Sequence, residues 1–303
     1  MGFVTIWKFL RIPNLLILII TQWLVYSFFF KPFLEFNPHT LSSLHLILLS
    51  VTTALVASAG YVINNIRDFK LDATQKNKSF IPTPIKLHWA WRIYWLLVLT
   101  GALLSVFIAN YADRIEALVW YPLATILLAW YSYQLKCSPL LGNVLVACFT
   151  SGVILLIPYA YWSEFIELRN GDPLLWNRLF YSLILLSLFA FNINFVREII
   201  KDIQDSSADA AAQCNSTAVY YGASTAGKIA LLFWCIHILI WMIHFYFNST
   251  TLFRWSTGIF VIIPVAYLSY SIVLSLNEHR LNKLSLGLKL YMLTGLLYWC
   301  ISV

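Results

Sequence analysis

Polar positions along this chain are rare, and they come in groups. Apolar stretches run over about 12–30, 41–63, 88–110, 116–135, 140–162, 177–199, 226–247, 255–276 and 285–302, with most charged residues gathered between them. Each stretch is close to the roughly 20 residues with which a helix crosses a hydrocarbon core. Strands of an outer-membrane barrel would be about half as long. In lipid, only a helix satisfies its backbone polar groups within its own segment. The pattern therefore predicts an all-α membrane protein, a bundle of about nine transmembrane helices forming a single domain over residues 1–303. The first run follows Lys8 and Arg11 as in a signal peptide. It is long for one and lacks a small-x-small cleavage site, so it is read as a retained first span.

Composition agrees with that reading. The chain is 60% hydrophobic and 11% charged, against about 25% charged in a soluble domain. The net charge of +7 does not indicate a nucleic-acid partner, because the basic residues lie in short connections between spans. Membrane proteins gather Lys and Arg on the cytoplasmic side. With the N-terminus inside, 15 of the 20 cations fall on the inner side, and Lys31, Arg114, Arg169, Arg178 and Arg254 lie outside. Setting aside Arg67, Lys70, Lys76, Lys78, Lys136, Arg197 and Lys201, which could serve a site, leaves 8 against 5 in the same direction. Cell-membrane placement with a cytoplasmic N-terminus follows as an expectation. The five cysteines, Cys137, Cys148, Cys214, Cys235 and Cys300, contain no CxxC pair. They read as small apolar residues, with neither a disulfide framework nor a zinc site expected.

The acidic residues change the picture. There are only 13, and six lie in two stretches, Asn64 to Asp72 and Arg197 to Asp209. Each stretch follows an apolar run, the second and the sixth, so both are expected on the cytoplasmic side. If the second span continues as a helix, Asn64, Asp68 and Asp72 share one face at i, i+4, i+8. Glu198, Asp202, Asp205 and Asp209 form a second stripe, with Arg197 and Lys201 beside it. Like charges four apart destabilise a helix by a few tenths of a kcal/mol, and more where solvation is poor. A divalent cation relieves that cost. Mg²⁺ binds through one or two carboxylates plus phosphate oxygens, and Arg and Lys suit the remaining phosphate oxygens. Facing stripes would hold a diphosphate between two such ions. Solvated helix ends are the plain alternative for one such stripe, but two on one side of a bundle fit it poorly. A transporter with ion-coupling carboxylates is the rival of another class. Its acids would be expected near the bilayer midplane, where this chain has mainly His237 and His244, each read as a hydrogen-bonded helix residue. The outer connection over 163–176 is read as a solvated loop.

These residues resemble the UbiA-type intramembrane prenyltransferases. Asn64, Asp68 and Asp72 match the family's N-D-x-x-D-x-x-x-D, and Asp205 and Asp209 its D-x-x-x-D, with Thr217 and Gly222 following at the usual distance. Tyr131 to Lys136 and Gly142-Asn143 resemble the connection between its fourth and fifth helices. Asn65 departs from the pattern, standing where the family usually has Asp. Arg197, Glu198, Lys201 and Asp202 are similar to the run in the geranylgeranylglycerol-phosphate geranylgeranyltransferases.

The resemblance implies a transferase that moves a prenyl group from a prenyl diphosphate to a lipophilic acceptor, with Mg²⁺ as cofactor. Asp68, Asp72, Asp205 and Asp209 are the implied catalytic metal ligands, with Asn64 and Asp202 assisting. Arg67, Lys78, Lys136, Arg197 and Lys201 are the implied diphosphate contacts. The favoured acceptor is geranylgeranylglycerol phosphate, in ether lipid synthesis; prenylation of an aromatic quinone precursor is the alternative. Membrane lipids are the surroundings, and no protein partner is predicted.

Overall fold

The computed structural model describes residues 7, 9–33, 40–72, 84–247, 261–274 and 278–301, with 70–72, 84–85, 247, 273–274, 278–280 and 300–301 described through their backbone alone. All regular elements among them are helical. Among the described residues, seven helices are long and apolar enough to cross a membrane. The segments 263–274 and Glu278–Ile301, both helical, correspond to the last two predicted spans. The multi-pass membrane architecture is therefore as the hydropathy pattern predicts. The chain divides into two compact units, Met1–Trp23 with Glu35–Leu135, and Leu24–Leu34 with Lys136–Val303.

Helix α1 (Ile12–Val25, running on into a π turn at Tyr26–Phe30) starts in the first unit, and its last residues and the π turn count with the second; α2 (Ser43–Asp72), α3 (Pro84–Tyr111) and α4 (Trp120–Tyr133) make up the rest of the first. Helix α2 packs on α3 and α4. Phe9, Val62, Ile66 and Ala90 form a buried cluster beneath Phe69, Trp91 and Tyr94. The Tyr121 ring lies where a Cβ on Gly101 would stand, and its hydroxyl donates to the Val98 carbonyl at 2.6 Å. Leu96, Leu99, Leu103 and Val106 line an uncovered apolar face of α3, as expected of a lipid-facing surface. Proline opens α3 at Pro84, a position where its missing N–H costs nothing.

In the second unit, α5 (Leu141–Ala160), α6 (Trp162–Gly171), α7 (Pro173–Ala211), α8 (Thr217–Tyr221), α9 (Ala223–Phe247), α10 (Ile263–Leu274) and α11 (Glu278–Ile301) follow. Helix α7 is the axis, packed against α5, α6, α8, α9 and α11. Asp172 caps it by accepting from the Leu175 N–H at 3.0 Å, with Pro173 in the first turn. Its 39 residues span about 58 Å at 1.5 Å per residue, nearly twice a hydrocarbon core of about 30 Å. One end must therefore extend beyond the core, and the acidic stripe is at that end. Helix α2, with 30 residues, likewise runs past its apolar part into Asn64–Asp72.

Two expectations need correction. The connection over 163–176 is not a loop, because most of it is α6, anchored by Phe165 against Phe30 and Trp176 at 5.4 Å between ring centroids in each case. Two cysteines also pair, Cys137 and Cys214, with Cα atoms 4.8 Å apart. Their separation of 77 residues hides the pairing from any spacing rule. The turn after α4 and the turn after α7 bring them together.

Candidate active site

The first stripe is built on an unbroken helix. Because α2 stays helical through Asp72, Asn64, Asp68 and Asp72 follow one face. The Asn64 amide nitrogen donates to Asp68 Oδ2 at 3.0 Å. That bond turns the Asn64 oxygen inward, where Oδ1 is buried with no hydrogen-bond partner among the described residues. A buried amide oxygen without a partner is costly. Beside a carboxylate, it matches what a hard cation binds. Asn65 points elsewhere, donating to the Phe9 carbonyl at 3.2 Å. Arg67 is exposed, with its guanidinium 5.4 Å from the centroid of the Tyr133 ring.

The second stripe is on α7. Glu198 is buried and holds two cations, Arg197 Nη1 at 2.8 Å and Lys201 Nζ at 3.0 Å. It thus organises the basic residues and fixes where their remaining N–H groups point. Arg197 Nε is buried without a partner among the described residues, a donor suited to an anion. Asp202 Oδ2 accepts from Asn143 Nδ2 at 3.0 Å and from the Thr217 backbone N–H at 3.2 Å. Asp205 is exposed and Asp209 half-buried. Beyond Asp209 the helix ends in a turn where the Cys214 N–H returns to the Asp209 carbonyl at 2.9 Å. The disulfide then joins that turn to the one bearing half-buried Lys136.

A family model for the UbiA prenyltransferase family matches residues 24–297. The chain belongs to the UbiA prenyltransferase family. Among its relatives, it is 29% identical to the digeranylgeranylglyceryl phosphate synthase of Methanobrevibacter smithii, over 85% of this chain and 86% of that one. It is 30% identical to the protein of the same name from Korarchaeum cryptofilum, over 83% of each. A solved structure concerning digeranylgeranylglyceryl phosphate synthase in membranes superposes with a TM-score of 0.68 at 22% identity, covering 98% of this chain and 97% of that one. A UbiA homolog from Archaeoglobus fulgidus bound to DMAPP and Mg²⁺ superposes with a TM-score of 0.60 at 16% identity, over 96% and 98%. The fold is that of UbiA proteins, and the chain is a prenyltransferase.

Not all the residues expected in a UbiA site can be placed. Lys78 lies outside the described residues, and Asp72 is described through its backbone alone. Among the described residues, no three His, Cys, Asp or Glu side chains converge on one point. The sequence reading missed Asn143 as the partner of Asp202, and Glu198 as the residue that orders Arg197 and Lys201. The i, i+3 spacing of Glu198 and Lys201 was the available signal for the second.

Proposed function

We propose that this UbiA enzyme transfers a prenyl group from a prenyl diphosphate to the hydroxyl of geranylgeranylglycerol phosphate, in an Mg²⁺-dependent reaction. The observation that carries this reading is made in each unit by itself: among the described residues, the Asn64 oxygen is buried without a partner beside Asp68, as suits a cation, and Arg197 Nε is buried without a partner beside Lys201, as suits an anion. Mg²⁺ and diphosphate would supply these two charges. The names of the Methanobrevibacter and Korarchaeum relatives favour the glycerol phosphate acceptor, and the Archaeoglobus homolog bound to DMAPP and Mg²⁺ favours the donor and the metal.

In this reading Asn64, Asp68, Asp72, Asp202, Asp205 and Asp209 hold Mg²⁺. When bound, the ion neutralises charge on the departing diphosphate. Arg197 and Lys201, oriented by Glu198, take phosphate oxygens, with Arg67, Lys78 and Lys136 as further contacts. Their charge stabilises the leaving group as the allylic C–O bond breaks. The apolar helices keep water from the allylic carbon, so the acceptor hydroxyl forms the new C–O bond and releases its proton. The acceptor phosphate draws on the same surplus of inner cations. We further infer that residues 1–303 act as one catalytic domain, because the family match runs through both units. The positive-inside charge bias supports a cytoplasmic N-terminus and site.

The test is incubation of purified protein with labelled geranylgeranyl diphosphate, Mg²⁺ and a panel of acceptors, beside Asp68→Ala and Asp205→Ala. Product on the glycerol phosphate that is lost in both variants is the expected result. Full activity of both variants would overturn the site assignment. Prenylation of an aromatic acid alone would move the enzyme to quinone precursors.

A further inference from the structure

The buried polar chain that ends on Asp202 carries a role that the proposed reaction does not itself require. The Leu140 N–H donates to Thr217 Oγ1 at 3.0 Å. The Thr217 hydroxyl donates to Asn143 Oδ1. The Asn143 amide nitrogen donates to Asp202 Oδ2 at 3.0 Å, and the Thr217 backbone N–H reaches the same oxygen at 3.2 Å. Every donor therefore has an acceptor, and the direction of each bond is set. Leu140 can only donate through its N–H, so the Thr217 hydroxyl gives its own proton to the Asn143 oxygen. That leaves the Asn143 amide nitrogen facing the carboxylate. Thr217 is fully buried, and Asn143 is 6% exposed.

This network ties three separate pieces of chain: the start of α5, the acidic end of α7 and the short α8. It also holds Leu140 at φ +62°, a backbone conformation that L side chains rarely adopt. Strain of this kind persists only where the surroundings over-determine it. A network built only to cover a helix end would not need to fix one oxygen of a carboxylate in the middle of an acidic stripe. With Oδ2 taken by two donors, the rotamer of Asp202 is locked, and with it the field in which Asp205 and Asp209 lie.

We propose that Asn143 and Thr217 are positioning residues: they lock the Asp202 carboxylate and so set the metal affinity of the second stripe. This rests on the Mg²⁺-diphosphate reading of that stripe. Outer partners that orient a metal-binding carboxylate govern affinity through geometry and do not touch the ion.

The experiment is an EPR titration of Mn²⁺ into the full-length protein in nanodiscs, with geranyl thiodiphosphate present as an unreactive donor. Thr217→Val keeps the shape and the backbone N–H but removes the hydroxyl. It should weaken Mn²⁺ binding about 10-fold or more, the range for loss of an orienting partner. Thr217→Ser should restore the wild-type value. Asn143→Ala provides the same reading if Thr217→Val does not fold, and should shift affinity in the same direction. Folded variants that lose thermal stability but titrate like wild type would show a structural role only and overturn the proposal. Wild-type protein that binds no Mn²⁺ under these conditions would overturn the metal-diphosphate reading, and this proposal with it.

Discussion

Asn65 donates its side-chain amide to the Phe9 carbonyl at 3.2 Å, across 56 residues of sequence. Asn65 is 6% exposed and Phe9 2% exposed, so neither atom has water as a substitute partner. Where the family pattern has Asp, this chain therefore uses an N–H donor to fasten the segment before α1 onto α2. Asn65→Asp places an acceptor against an acceptor. It should cost about 1–3 kcal/mol, the penalty for an unsatisfied buried group, seen as a lower thermal midpoint. It should not tighten Mn²⁺ binding, because the side chain at 65 points to Phe9 and away from the stripe. Tighter binding in the variant would return position 65 to the metal site.

Glu198 makes the second prediction. Its carboxylate pairs with Arg197 and Lys201, whose side chains are 21% and 32% exposed. Glu198→Gln removes the charge that orders both. The stability loss should be about 1–2 kcal/mol, because Lys201 is partly screened by solvent. The larger effect should be on the prenyl diphosphate: KM should rise roughly 10-fold with kcat changed less, the signature of lost uniform binding. Steady-state kinetics with the labelled donor separates the two. A fall in kcat at constant KM would place Glu198 in the chemistry itself.

The helices and both acidic stripes were legible in sequence because each depends on local periodicity. Runs of about 20 apolar residues, and carboxylates at i, i+4 and i+8, keep their meaning whatever packs beside them. Groupings made by tertiary structure were hidden. Nothing local marks Asn143 as the partner of Asp202 or Phe9 as the partner of Asn65. Helix α6 has the sequence of a loop, because WSEFIELRNG carries two Glu and one Arg, and its hold on the structure is aromatic packing by Phe165, a contact made at distance in the chain. The identity of Asn65 was visible from the start, but its reason was not.

The Cys137–Cys214 bond gives a third prediction. It closes a loop across 77 residues, which in the chain-entropy view stabilises by about 4.5 kcal/mol. Reductant, or Cys137→Ser, should lower the thermal midpoint accordingly. Without reductant, alkylation of the denatured protein should label Cys148 and Cys235, the free cysteines on the described surface, and spare Cys137 and Cys214. If the site is cytoplasmic, the bond faces a compartment that keeps thiols reduced. Alkylation in intact cells before lysis then reports its state in place. Labelling of both Cys137 and Cys214 in oxidised, purified protein would refute the pairing.

Tyr291 is the test of the buried histidine. Its hydroxyl accepts from Trp241 Nε1 at 2.6 Å and lies 3.1 Å from His237 Nε2. The indole can only donate, so the Tyr291 oxygen accepts from it, and the imidazole tautomer sets the direction of the Tyr291–His237 bond. Phe189, Trp234 and Trp241 enclose the pair. Tyr291→Phe strands two polar groups in a dry interior and should cost about 1–3 kcal/mol. Prenyl transfer per folded molecule should not change, because the network contains no group that the proposed reaction uses. Thermal midpoint and specific activity measured on the same nanodisc sample decide the matter. A stable but inactive variant would mean that the cluster acts in the reaction rather than holding α9 to α11.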